Sequence, residues 1–110
     1  MKNTTAEFFT DLAPSLRLID EATKEGLPSF LQSARLRAIV EWRLYRIGEL
    51  SARRRRYLME EFPAVPWADI IRMRHRLAHH FMKLDPNITF VIAAMDVPKL
   101  AFAVRRAFNE

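Results

Sequence analysis

Residues 72–81, RMRHRLAHHF, hold every histidine of the chain, His75, His79 and His80, together with Arg72, Arg74 and Arg76. Imidazole changes charge near neutral pH, so it can take and return protons under physiological conditions. Guanidinium stays charged and presents a planar fork that matches phosphate oxygens. Together these groups suit a phosphodiester site, where an acid–base residue and a fixed cation are both required. Three other readings use the same letters. A basic helix face is often only solvated. His75 and His79 stand at the i, i+4 spacing of a metal pair, yet neither an HExxH glutamate nor a cysteine accompanies them, so no metal is expected. A base-reading DNA helix would carry Asn or Gln, and this segment has neither.

On a helical wheel, Ile70, Met73, Leu77 and Phe81 form one apolar stripe, while Arg72, Arg76 and His79 gather on the other side with His75 and His80 beside them. Arg74 falls among apolar neighbours, between the stripe and Ile71 and Ala78. A permanent charge there is costly unless something pairs with it, such as an anionic pocket or a second subunit.

The elements that must position this helix are also helical. Phe8, Leu12, Leu16 and Ile19 predict a helix over about residues 5–24, interrupted by Pro14 or beginning near Ala13. Pro28 opens a short second segment. Leu36, Val40, Leu44, Ile47 and Leu50 predict one long amphipathic helix over about residues 31–60. Gly48 inside it costs about 1 kcal/mol relative to alanine, which a close helix–helix approach would offset. FPAVPW is a stop, and Pro66 opens the helix that runs from about Trp67 to Phe81 or Lys83. LDPN is a turn. The last helical stretch, about residues 88–108, restarts at MDVPKL with Asp96 as N-cap and Pro98 in the first turn. The expectation is an all-α bundle of four to five helices forming a single domain over residues 1–110.

Composition agrees with that class. Half of the 110 residues are hydrophobic and only two are glycine, so the chain has a core to bury and few helix breakers. With no cysteine, a disulfide scaffold, a zinc ribbon and a thiol nucleophile are excluded. No leader and no apolar run of membrane-spanning length is apparent, so a cytoplasmic protein without a membrane partner is expected. Basic residues exceed acidic ones by 18 to 13, and arginine dominates the basic set. That bias suggests RNA, DNA or an acidic protein as partner. ARRRRY at residues 52–57, with Arg54 near its centre, would extend a footprint for RNA, or would simply be a solvated run near a helix C-terminus.

PWADIIRMRHRLAHHF resembles the core of the HepT-like branch of the HEPN family, which reads approximately P-W-x-x-I-I-x-M-R-N-R-L-x-H-x-Y. Pro66, Trp67, Ile70, Ile71, Met73, Arg74, Arg76, Leu77 and His79 match. IGEL at residues 47–50 resembles the family's I-G-E-A, and MDVPKL its D-L-P-x-L. The resemblance implies an up-and-down helical bundle, commonly homodimeric, and a metal-independent endoribonuclease that needs no cofactor. Its site forms where two subunits face each other, and many members are toxins of HepT–MntA toxin–antitoxin systems. It assigns the catalytic arginine of the Arg-x4–6-His motif to Arg74 and the histidine to His79. His75 stands where asparagine is usual, and Arg72, Arg76 and His80 remain as supporting or RNA-binding residues. Arg72 also satisfies the motif spacing to His79 and shares its face, whereas Arg74 and His79 lie about 140° apart on an ideal helix. Either the helix loosens near His79, or Arg74 works with His79 of a partner copy. Flanking arginines would lower the imidazole pKa and favour the neutral base.

One position departs from the pattern. The antitoxin nucleotidyltransferase of such systems transfers AMP to the tyrosine of His-x-Tyr, and Phe81 has no hydroxyl to accept it. The expected function is therefore an RNA-cleaving toxin, with tRNA as a candidate substrate, inhibited if at all by binding. The alternative is an inactive HEPN partner or substrate-binding subunit of a nucleotidyltransferase, and a sequence-specific DNA binder ranks third.

Overall fold

The computed structural model describes the backbone of residues 4–80 and 85–109 and the side chains of residues 6–78 and 85–106. Among these residues all regular structure is helical, as expected. The elements are α1 (Thr4–Thr23), α2 (Leu27–Gln32), α3 (Ala34–Arg53), α4 (Arg55–Glu61), α5 (Trp67–His80), α6 (Pro86–Val91), a π-helical turn (Ile92–Asp96) and α7 (Val97–Asn109).

Helix α3 is the centre of the bundle, with α1 packed along one side and α5 along the other. Val40, Leu44, Ile47 and Leu50 are buried as the apolar spacing requires, and Phe8, Leu12, Ile19, Phe30 and Leu58 close the core around them. Arg54 after α3 reaches Glu7 while Trp67 at the start of α5 packs on the adjacent Phe8, and Gly48 further back on α3 meets Arg74 further along α5, so α3 and α5 run antiparallel. Helix α7 and the π turn pack on α1.

Several boundaries differ from expectation. Pro14 lies inside a continuous α1. Phe8 and Leu12 before it and Ser15 and Ile19 after it are all buried, so packing on both sides holds the helix through the lost hydrogen bond. The short segment opened by Pro28 is α2, and the single long helix expected over residues 31–60 begins only at Ala34 and is divided into α3 and α4. Ser33 has extended backbone and accepts from the Leu36 amide at 3.1 Å, capping α3 and ending α2. At Arg54 the chain leaves helical geometry again, and α4 turns Leu58 back into the core.

The last helix begins earlier than expected, with Asp85 as its cap (Asn87 amide to Oδ1, 2.9 Å). Asp96 is not an N-cap. It closes the π turn that joins α6 to α7, in which the Val97 amide donates to the Ile92 carbonyl five residues back. A regular α-turn would press the Pro98 ring against the Ala94 carbonyl, and the wider turn relieves that clash. Because the helix does not restart, Pro86–Arg106 becomes one 21-residue stretch long and apolar enough, by length and composition alone, to cross a membrane. That departs from the expectation of no such run. In this fold, Thr89, Ala93, Val97, Leu100 and Val104 bury one face of the stretch in the bundle.

Candidate functional site

The start of α5 is fixed by Pro66 and Trp67. Trp67 is buried, meets Phe8 edge to face at 5.7 Å, and donates from Nε1 to the Phe62 carbonyl at 2.9 Å. That carbonyl belongs to the residue capping α4, so the indole ties the two helices across the FPAVPW break. From this anchor α5 runs as regular α-helix through His80.

Leu77 is buried on the inward side, and Ile70 and Met73 are half-buried. The latter two border a groove of about 480 Å³ between α5 and α7, floored by Leu44 and Ile47. Phe81, the last member of the expected stripe, lies outside the described residues.

Arg74 is half-buried, and its neighbour explains its place. A Cβ built on Gly48 would stand 2.4 Å from the Arg74 Cβ, 3.1 Å from the Ile70 carbonyl oxygen and 3.2 Å from the Arg74 Cα. Glycine is therefore what lets α5 seat Arg74 against α3, and the close approach expected at Gly48 is realised at the motif arginine itself. Helix α3 of the same chain covers the base of this side chain. Among the described residues, Arg74 forms no ion pair or hydrogen bond.

The other basic residues are placed differently. Arg72 is exposed and bonded to Asp69 at 2.8 Å, one turn toward the start of α5. His75 and Arg76 are exposed. His79 and His80 belong to the helix, and their side chains lie outside the described residues. Arg54 turns toward α1, with its guanidinium 3.8 Å from Glu7 and its side chain only 19% exposed. In the 52–57 run, Arg53, Arg55 and Arg56 are the exposed members. Among the described residues, no three His, Cys, Asp or Glu side chains come together in a way that would hold a metal ion.

Regular helix through His80 gives no loosening at His79, so the two motif positions leave α5 about 140° apart. Arg72 shares the face of His79 but lies seven residues, about 10.5 Å, away along the axis and is drawn toward Asp69. Sequence reading located α5 and its basic content, and the glycine contact beneath Arg74 is what it did not identify. It also passed over Trp42 and Tyr45, whose rings stack on α3.

Comparison with known proteins is consistent with this arrangement. The family model described as "Ribonuclease HepT-like" matches residues 12–107. "Probable ribonuclease HepT" of Thermococcus cleftensis is 29% identical over 101 residues, covering 91% of this chain and 92% of that protein. "Putative RNase MJ1380" of Methanocaldococcus jannaschii is 30% identical over 100 residues, covering 90% of this chain and 92% of that one. A third relative from the same archaeon, "Gamma-glutamylcyclotransferase and putative RNase MJ0434", is 25% identical and corresponds to this chain over half its own length. No solved structure matches. The match spans α5 and the α3 segment bearing Gly48, and on that ground the chain belongs to the HepT-like ribonuclease family.

Proposed function

We propose that the protein is a metal-independent endoribonuclease whose active site is shared between two copies, Arg74 coming from one and His79 from the other. The observation that supports this is the regularity of α5, which points the two motif positions to different sides of one helix. Twofold symmetry generates two equivalent sites, as it does for any isologous pair. In each, the His79 imidazole takes the proton of a ribose 2′-hydroxyl, whose oxygen attacks the adjacent phosphorus. A second acid protonates the departing 5′-oxygen, leaving a 2′,3′-cyclic phosphate. Arg74, seated against Gly48, neutralises the charge that gathers on the phosphate oxygens.

The biological setting proposed is a toxin–antitoxin pair with an MntA-like nucleotidyltransferase, acting in the cytoplasm on RNA such as tRNA. Phe81 cannot accept AMP, so inhibition there would proceed by binding.

The decisive experiment mixes two variants. Arg74→Ala and His79→Ala should each abolish cleavage of a total tRNA substrate, with cyclic phosphate on the wild-type products and activity retained in EDTA. His79→Ala should keep its RNA affinity. Co-refolded together, the variants form heterodimers in which one of the two sites has both residues intact, restoring roughly a quarter of wild-type activity. No restoration, with each variant folded and dimeric, would refute the shared site. A wild type that cuts no RNA would instead favour an inactive partner or substrate-binding subunit of a nucleotidyltransferase.

A further inference from the structure

Helix α3 carries an aromatic pair whose inner member, Tyr45, packs against the core while the outer member, Trp42, stands in solvent. Trp42 is 55% exposed, and its indole stacks on the half-buried Tyr45 ring with centroids 5.8 Å apart and planes 21° from parallel. A lone exposed tryptophan would call for no explanation. Here the ring is braced from beneath, which fixes its plane. Ala38, one turn toward the helix N-terminus, is exposed and too small to cover the indole. A large flat face is thus presented to solvent in a fixed orientation.

The charge around it is positive on balance. Helix α3 carries Arg35, Arg37, Arg43, Arg46 and Arg53 against Glu41 and Glu49. Glu49 Oε1 is shared by Arg46 at 3.0 Å and Arg53 at 3.6 Å, whereas burial raises the Glu41 carboxyl above its ordinary value against the opposing pull of Arg37. Arg35 lies on the same side as Trp42, seven residues away, or about 10.5 Å along the axis. Cations therefore flank the ring stack on both sides along one helix face.

The position relative to α5 matters as well. Gly48 meets Arg74, and the two helices are antiparallel. His79 lies five residues, about 7.5 Å, beyond Arg74, and therefore level with α3 near Arg43. Trp42 and Tyr45 flank that level. The rings therefore stand at the same height along the bundle as the Arg74–His79 stretch of α5.

We infer that the Trp42–Tyr45 stack is a base-stacking platform for unpaired RNA, with Trp42 receiving a nucleobase and the α3 arginines receiving its flanking phosphates. Stacking accepts any base because every base has a π-face, while it requires that the base be out of a duplex. The substrate class is therefore RNA with single-stranded segments. The inference rests on the ribonuclease reading for its ligand, although the platform binds RNA whether or not cleavage occurs.

The two tryptophans make the test direct. Trp67 is buried and Trp42 exposed, so RNA that stacks on Trp42 quenches one emission and spares the other. The full chain would be titrated with a 12-mer of 2′-O-methyl RNA, which lacks the attacking hydroxyl and stays intact, and with a duplex of the same length. The single strand should quench and bind at least tenfold better than the duplex. Trp42→Ala should weaken single-strand binding about tenfold, within the range for stacking one base on an aromatic ring, and Trp42→Phe should recover most of it. In Trp42→Phe the remaining Trp67 emission should not respond to RNA. Unchanged affinity in Trp42→Ala, or equal binding of duplex and single strand, overturns the inference. Loss of dimer mass in Trp42→Ala by light scattering also overturns it and gives the ring to a second copy of the chain. A wild type that quenches yet never cleaves RNA defeats the nuclease reading alone, whereas cleavage with Trp42→Ala binding as well as wild type defeats the platform alone.

Discussion

Replacing Gly48 by alanine sets two known effects against each other at one point. In an open helix interior the change is favourable by about 0.5–1 kcal/mol, because glycine loses more backbone freedom on folding. Here the added methyl would stand 2.4 Å from the Arg74 Cβ and 3.1 Å from the Ile70 carbonyl oxygen. Carbon atoms in contact prefer about 3.5–4.0 Å, so α5 has to retreat by about 1 Å or more. The obstructing atoms are the root of a side chain and the backbone, which cannot swing aside. Overpacking of this kind costs about 1–3 kcal/mol, and after the helix gain the net is about 1–2 kcal/mol of destabilisation. For a chain of this length that lowers the melting temperature by roughly 4–8 °C.

The larger effect should be on turnover, since a displacement of about 1 Å in a positioned catalytic group can cost 10²-fold in rate. Circular dichroism melts give the first number. RNA cleavage at 20 °C, where both proteins remain folded, gives the second. Gly48→Ala melting at or above the wild-type temperature with unchanged turnover would refute a tight α3–α5 contact at Arg74.

Two further outcomes test the scaffold. Trp67→Phe removes the Nε1 bond to the Phe62 carbonyl and part of the Phe8 contact, and should cost about 1–3 kcal/mol in denaturant unfolding; a loss under about 0.5 kcal/mol would show that the FPAVPW break is held by other means. Burial pushes the Glu41 carboxyl above its ordinary value of 4.5, with Arg37 opposing the shift. The folded state then holds that proton more tightly than the unfolded state, so ionised Glu41 subtracts from stability above its folded pKa. Below about 4.5 the penalty disappears. Glu41→Gln should accordingly melt higher than wild type at pH 7 and equal to it near pH 4; the opposite sign at pH 7 would show that the Arg37 attraction outweighs the desolvation.

Apolar periodicity revealed the helices because burial dominates their packing, and Val40, Leu44, Ile47 and Leu50 are buried where that spacing put them. It failed at Ser33 and Arg54 because an amphipathic stripe runs straight across a break. At Ser33 the deciding signal is a single hydroxyl accepting from the Leu36 amide. It failed at Asp96 because proline in a helix has two solutions, a restart or a widened turn, and the letters MDVPKL fit both.

For the site, the incongruous charge of Arg74 was visible on a wheel, and Gly48 was visible as a cost. Nothing local linked residues 26 positions apart, so their contact had to come from the tertiary arrangement. The reverse holds for EWRLYR at residues 41–46: an aromatic pair at i, i+3 interleaved with arginine was legible, but exposure decides its meaning, and exposure is a property of the fold.

The π turn between α6 and α7 bears on how this chain tolerates changes in length. The buried positions Thr89, Ala93 and Val97 are spaced by four, and only then does the spacing drop to three at Leu100. A π turn is an α-helix that has absorbed one additional residue without rotating what lies on either side. Removing one residue between 92 and 96 would return the turn to α geometry and leave Thr89 and Leu100 facing the bundle, at the cost of the Pro98 clash that the wider turn avoids. The same deletion inside α5 would rotate everything beyond it by about 100° and carry His79 away from its site. A one-residue deletion should therefore disturb the packing of the last helix less than it disturbs the helix that bears the motif.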